Sequence, residues 1–197
     1  MKLQDTLPRS FRLGRRRYRV DLDFRNVLQL LDILARDDLT PEARDYLALR
    51  CVMRRPPRDA HAGVEALRAL LFPAAKPSAD KQKITDFEQD ADLIRAAFLQ
   101  VYGINLYRDR LHWLEFSALL AGLPEGSRYS EVIGIRVRPM PAPTKWNAAE
   151  RSWLAKAKAE FAVRLNEKET AQSLESGLRS VAMSLLALAE SGRREGQ

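Results

Sequence analysis

With 197 residues, of which 46% are hydrophobic, the chain suits one globular domain with an appendage. No run of its sequence reaches the roughly 18 to 20 apolar residues that a membrane-spanning helix needs, and its first twenty residues lack an apolar signal region. The single cysteine, Cys51, excludes an internal disulfide and fits a reducing compartment. A net charge of +7 leaves nucleic acid, an acidic protein surface or a merely solvated basic face as alternatives.

The first seventy residues predict a hairpin and three helices. Apolar residues alternate over 10–20 around Gly14, a residue type that supplies the positive φ of a tight turn. Asp23 is placed as the N-cap of a helix whose apolar residues recur at helical spacing. Those residues are Phe24, Val27, Leu28, Leu31, Leu34 and Ala35. A second helix should begin at Thr40-Pro41 and stop at the prolines of 54–57, and a third should run from Asp59 to Phe72.

The stretch "DFEQDADLIRAAFLQVYGINL" opens with four acids in seven positions, Asp86, Glu88, Asp90 and Asp92. A divalent-metal site is one interpretation. The favoured interpretation is helix capping, in which Thr85 and Glu88 form a capping box and the acidic residues lie on a solvated first turn. Gly103 then ends this helix in the left-handed region.

The remainder predicts further helices separated by breaks. One helix should run from about Asp109 to Ala121 and a short one over 127–136. A proline-rich break at 138–146 follows, and Asn147 with Glu150 resembles a second capping box. It should open a long helix with Trp153, Ala157 and Phe161 on one side, and Leu154 and Leu165 are further candidates for that side. A last stripe steps by 4, 3, 4 and 3 residues, and we call it the C-terminal stripe: Leu174, Leu178, Val181, Leu185 and Leu188.

Together these elements predict a mainly α, compact multi-helix domain with a short N-terminal β-hairpin and a C-terminal helical extension. The expected divisions are 1–72 (hairpin plus helices), 73–83 (a Pro- and Lys-rich linker or loop), 84–137 (central helical block), 138–146 (break) and 147–191 (long C-terminal helices). The C-terminal stripe is a candidate surface for self-association or partner binding, and packing within the chain explains it equally well.

Residues for catalysis are scarce. His61 and His112 are the only histidines, and with one cysteine they nearly exclude a zinc site. No glycine-rich phosphate-binding motif is present. We therefore expect no catalytic residues, no metal and no cofactor, and we expect Cys51 to be a buried, inert thiol.

The run "RRRYR" is a candidate basic patch, made of Arg15, Arg16, Arg17 and Arg19. Phosphate binding there would weaken steeply with salt. The favoured interpretation is a solvated hairpin face, although strict alternation would put Arg16 on the same face as Tyr18. Nucleic acid is therefore an unlikely partner.

Three segments in order resemble a family of phage proteins. "LPRSFRLGRRRYRVDLDFRNVLQLLDIL", the stretch from Asp86 quoted above followed by "LHWLEFSALLAGLP", and "EVIGIRVR" are similar to the gene-product-fifteen family, which is encoded among tail genes near the tape-measure gene. The resemblance covers roughly residues 7 to 165. Asn105 stands where the family is expected to have aspartate.

That resemblance implies a mostly helical, non-catalytic tail assembly chaperone that binds helical segments of the tape-measure protein. It would act in the host bacterial cytoplasm during assembly, away from membranes. The alternatives are a structural tail or connector component that stays in the virion and, less well supported, a basic DNA-binding regulator without a helix-turn-helix motif.

Overall fold

Two antiparallel strands and seven helices form the described part of the chain in a computed structural model, which describes residues 4–72 and 84–164. Their bounds are β1 Ser10–Leu13, β2 Arg16–Arg19, α1 Phe24–Leu34, α2 Pro41–Val52, α3 Ala60–Leu71, α4 Ala91–Tyr102, α5 Trp113–Ala121, α6 Arg128–Val137 and α7 Ala148–Glu160. The predicted mainly α fold with an N-terminal hairpin is confirmed. The segment 73–83 and the chain after residue 164 lie outside the described residues.

The hairpin turns at Gly14, whose φ of +57° lies in the left-handed region that favours glycine. Phe11 pairs with Tyr18, and their rings stack with centroids 5.6 Å apart. The backbone N–H of Asp21 donates to the carbonyl of Val52, which fastens the hairpin to the end of α2. A two-stranded sheet is marginal alone, and here it is held by the helices.

One hydrophobic core contains residues from both sides of the segment 73–83. At its centre the ring of Phe116 stacks on Phe24 of α1, with centroids 4.7 Å apart, and on Phe98 of α4, with centroids 5.3 Å apart. Aromatic pairs of this kind stabilise a fold beyond the area that they bury. The segments 4–72 and 84–137 are therefore packed against each other.

The residues that precede α1 and α5, Asp23 and His112, pair as an antiparallel bridge. As predicted, Asp23 caps α1, its carboxylate accepting from the N–H of Arg25. The prediction that α5 begins near Asp109 is wrong, because His112 is its N-cap and Trp113 its first residue. The Nδ1 atom of His112 accepts a hydrogen bond from the backbone N–H of Leu114, so the imidazole caps the helix.

The predicted capping box at 85–88 is also wrong. The helix begins at Ala91, and residues 87–90 form a turn before it. The hydroxyl of Thr85 hydrogen-bonds that of Tyr129 on α6, with 3.0 Å between the oxygens. The carboxylate of Asp86 accepts from the N–H groups of Glu88 and Gln89, so it closes the turn. The C-terminal prediction is confirmed, since Gly103 ends α4 with a φ of +68°.

The last described helix also departs from expectation. Asn147 precedes α7 but makes no capping bond to it, because its side chain binds Thr144 and Ala142 in the preceding loop. The predicted capping box is thus absent. The buried residues of α7 are Leu154 and Ala157, whereas Trp153 is 54% exposed. Among residues 4–72 and 84–164, no helix has the length and apolar character needed to cross a membrane.

A buried ion pair fastens α6 to the start of α4. Both oxygens of Asp90 accept from the guanidinium of Arg136 at 2.7 Å, and the two side chains are only 1% and 7% exposed. Asp90 also accepts from the N–H of Asp86, while Arg136 donates to the carbonyls of Ile84 and Phe161. The assignment of Asp90 to a solvated helix turn is therefore wrong.

The variant Asp90→Ala should lose about 3–5 kcal/mol of unfolding free energy, because it leaves the buried charge of Arg136 unpaired. The control Asp92→Ala, whose side chain is 94% exposed, should change stability by about 0.5 kcal/mol or less. Urea unfolding followed by circular dichroism measures both. Equal losses in the two variants would contradict the importance of the pair.

Candidate protein-interaction site

An apolar groove of about 500 Å³ lies between α5 and α6, and we call it the α5–α6 groove. Its lining residues are Phe87, Trp113, Phe116, Ser117, Leu120, Ala121, Leu123, Tyr129, Ser130, Ile133, Gly134 and Val137. Trp113 and Phe116 belong to the core, whereas Val137 at the edge is 52% exposed. Part of the hydrophobic core of this protein is therefore reachable from the surface.

Polar contacts place α6 along the groove. Ser127 caps the helix by accepting from the N–H of Ser130. Tyr129 is held by Thr85, and burial is the main cause that raises the pKa of its phenol. The guanidinium of Arg136 binds Asp90. In sequence Arg136 lies between Gly134 and Val137, and both of these residues line the groove. These polar contacts hold α6 at its start and near its end, while its buried residues Tyr129 and Val132 pack in the interior.

Gly134 is a helix-interior glycine with open space beside it. A Cβ atom built on it would meet nothing within 4 Å. By contrast, a Cβ on Gly63 would lie 2.7 Å from Pro57, so close packing within the fold requires that glycine. Glycine inside a helix costs roughly 1 kcal/mol relative to alanine. No intramolecular contact of the described residues explains this cost at Gly134, and close approach of another chain would explain it.

The indole of Trp113 adds a second incomplete feature. Its Nε1 atom is buried and has no hydrogen-bond partner. Buried polar atoms are normally satisfied, and an orphaned one calls for an explanation.

The structure describes only one of the two predicted binding surfaces, the basic patch. The C-terminal stripe lies outside the described residues. The basic patch is exposed, with Arg15 in the turn and Arg17 and Arg19 on the strand that follows. Register pairs Arg12 with Arg17, so the solvent face of the hairpin also carries Arg12, which the sequence reasoning missed. A role for this patch in binding stays a prediction.

The acidic side chains of residues 86–92 have different partners in the structure and do not form one cluster. Asp90 lies against Arg136, Asp86 binds the turn, and Asp92 pairs with Arg95 at 3.0 Å. Within residues 4–72 and 84–164, no three His, Cys, Asp or Glu side chains gather as a metal site would need. Their observed contacts fit structural roles.

The thiol of Cys51 lies close enough to the carboxylate of Asp32 on α1 for the two groups to interact electrostatically. Cys51 is half-buried rather than buried, and partial desolvation followed by the charge of Asp32 raises its pKa. The pKa of Asp32 is itself raised by partial desolvation first, and then by the carboxylates of Glu88 and Asp86. A raised thiol pKa keeps the cysteine protonated, and hence weakly nucleophilic, at neutral pH.

The described residues form a small, mainly helical domain with an apolar groove between α5 and α6. The sequence profile of the bacteriophage Gp15 protein family matches residues 3–163. The chain therefore belongs to this family, which indicates a phage structural or morphogenesis protein. Comparison with curated proteins and with solved structures gave no match.

Replacing Asp32 by asparagine should raise stability at pH 7. A raised folded-state pKa means that the ionised carboxylate is disfavoured in the folded protein, so stability falls as pH rises from the ordinary aspartate pKa of 3.8 through the raised pKa. The gain of Asp32→Asn should vanish below pH 3.8. Thermal unfolding at pH 7 and pH 3 measures it, with Glu125→Gln as control. A gain independent of pH would contradict this origin.

Proposed function

We propose that this protein is a non-catalytic tail assembly chaperone, which covers a helical segment of the tape-measure protein in the host cytoplasm. The α5–α6 groove is the proposed binding site. No cofactor takes part in this proposal. Family membership supports the phage context, and the geometry of the groove supports a helix as the bound segment.

The shape and lining of the groove suit a helix. Two flanking helices offer apolar side chains to an amphipathic third helix, which would insert residues at spacing 3 and 4. The edge residue Val137 and the inner residues Trp113 and Phe116 supply the apolar surface. Gly134 lets a partner backbone come close, as small residues do where two helices touch. The open space beside Gly134 is the observation that carries the proposal.

A groove of this size favours reversible binding. About 500 Å³ accommodates a few large side chains rather than a whole obligate interface. A tape-measure helix with several such sites would gain avidity by recruiting several copies. Moderate affinity at each site would then allow the chaperone to leave when the tail tube encloses its client.

A leucine at position 134 should block the groove without unfolding the protein. Gly134→Leu fills open space and improves helix propensity by roughly 0.5–1 kcal/mol. Co-expression with the tape-measure protein, followed by pull-down and a solubility assay, should show loss of binding of about tenfold or more.

Ala96→Leu is the matched control, because it adds the same side chain at an exposed helical position of α4 outside the groove. Its binding should stay unchanged. If Gly134→Leu binds the client as the unmodified protein does, the groove is not the site.

The alternative from the same family context is a structural tail or connector component. The groove is lined by apolar side chains, of which Val137 is exposed, and a permanent neighbour in the particle would cover them equally well. Mass spectrometry of purified virions separates the two roles. A chaperone is absent or present in traces, whereas a structural subunit is present in a fixed ratio to the other tail proteins.

A further inference from the structure

We propose that this protein binds the phosphate backbone of duplex DNA, independently of base sequence, through arginines of the hairpin and of the end of α2 and the loop that follows it. The ten arginines of residues 9–19 and 50–58 are all exposed, and we call them the arginine surface. All ten belong to the described residues and lie outside the lining of the α5–α6 groove. The inference therefore goes beyond the proposed function.

The positive charge of the chain is concentrated on this surface. Residues 9–19 and 50–58 contain ten arginines and no Asp or Glu. Because these ten charges exceed the net charge of +7 of the whole chain, the other residues together carry a net charge of −3. A charge distribution of this kind attracts a polyanion to the basic part of a molecule.

The fold brings the two arginine-rich segments together. The N–H of Asp21, which follows β2, donates to the carbonyl of Val52 at the end of α2. Arg19 and Arg54 each lie two residues from these bonded groups. Helix α3, which begins just after residue 58, packs against β1. The sequence alone favours a solvated hairpin face, whereas the structure places a second set of arginines beside the hairpin.

Strand register leaves like charges facing each other on the hairpin. Arg12 and Arg17 are directly opposite, and Arg19 lies two residues further along β2 on the same face. Like charges at opposite positions destabilise a sheet, and the Nε atom of Arg17 donates to the hydroxyl of Ser10 instead of a carboxylate. Exposed arginines elsewhere pair with acids: Arg36 with Asp38, Arg68 with Glu65, and Arg138 with Glu150. A bound polyanion would neutralise the hairpin charges.

The composition of the arginine surface favours nucleic acid over an acidic protein. Protein interfaces have an apolar core with aromatic anchors, and charged residues are depleted there. The large hydrophobic side chains that are exposed among residues 4–72 and 84–164 all lie outside 9–19 and 50–58. Interfaces with DNA are much more positively charged, and guanidinium groups bind phosphate oxygens in a bidentate manner.

The position of Tyr18 favours duplex DNA over a single strand. Its half-buried ring stacks on Phe11, on the face of the hairpin opposite to Arg12 and Arg17. Single strands are held largely by bases that stack on exposed aromatic rings, and Tyr18 offers no such ring. A two-stranded ribbon fits the major groove of DNA, which is about 12 Å wide, whereas the major groove of duplex RNA is too narrow.

Salt dependence of binding by the full-length protein gives the first test. Fluorescence anisotropy with a labelled duplex of about 30 base pairs measures the affinity. If about six hairpin arginines contact phosphates, the affinity should fall by roughly a thousandfold between about 50 and 200 mM salt. A second duplex of unrelated sequence should bind with an affinity within about threefold of the first.

A triple variant locates the contact on the hairpin. Replacing Arg12, Arg17 and Arg19 by glutamine should weaken binding by about tenfold or more at low salt and lower the slope of log affinity against log salt by about 3. The matched control removes the same total charge from exposed positions elsewhere: Arg36→Gln, Arg68→Gln and Arg138→Gln. The control should bind within about threefold of the unmodified protein, and circular dichroism checks that both variants are folded.

Equal losses in the two triple variants would overturn the proposal, because binding would then follow net charge and not the arginine surface. Absence of binding at low salt, or affinity that does not change with salt, would also overturn it. So would tighter binding to single-stranded DNA, or equally effective competition by polyglutamate, which would indicate an acidic protein partner. Gly134→Leu should keep full affinity for DNA, so the groove and the arginine surface are tested separately.

Discussion

The paired charges of Asp90 and Arg136 are the constraint on which the second half of the fold depends. Burying two ions is costly, and the cost is offset only when their geometry and remaining hydrogen bonds are complete. Here the carboxylate accepts two donors from the guanidinium and one from the backbone, and the guanidinium also binds the carbonyls of Ile84 and Phe161. Three segments distant in sequence therefore meet at one polar point: the turn before α4, the end of α6 and the end of α7.

This arrangement explains why an apolar groove stays open beside a well-packed core. The ion pair fixes α6 near its C-terminal end, and Thr85 binds Tyr129 near its start. The groove is left with Gly134 in its wall and an unpartnered indole nitrogen in its lining. The groove proposed as the binding site therefore lies beside a helix that is held at both ends by polar contacts.

Turn and cap residues were predicted correctly from the sequence where their hydrogen-bond partners lie within a few residues. Gly14, Asp23, Thr40 and Gly103 act as the turn and cap residues that their types indicate. Signals failed where a distant residue competed. Thr85 resembled a cap but bonds Tyr129, and Asp90 resembled a solvated acid although its partner is 46 residues away. In α7, Ala157 and the further candidate Leu154 are buried, whereas Trp153 is exposed. The groove needs α5, α6 and Phe87 together, so no local pattern could indicate it.

Hydrogen exchange of the variant Arg136→Met tests the central claim most directly. Methionine keeps much of the volume but leaves the carboxylate of Asp90 buried without its cation. The account predicts that amide protection falls throughout 84–90 and 128–137 while 24–52 keeps its protection. The control Arg138→Met removes an exposed pair between the C-cap residue of α6 and Glu150 of α7, and should leave the protection pattern unchanged. Unchanged protection of α6 in Arg136→Met would contradict the claim that this pair builds the groove.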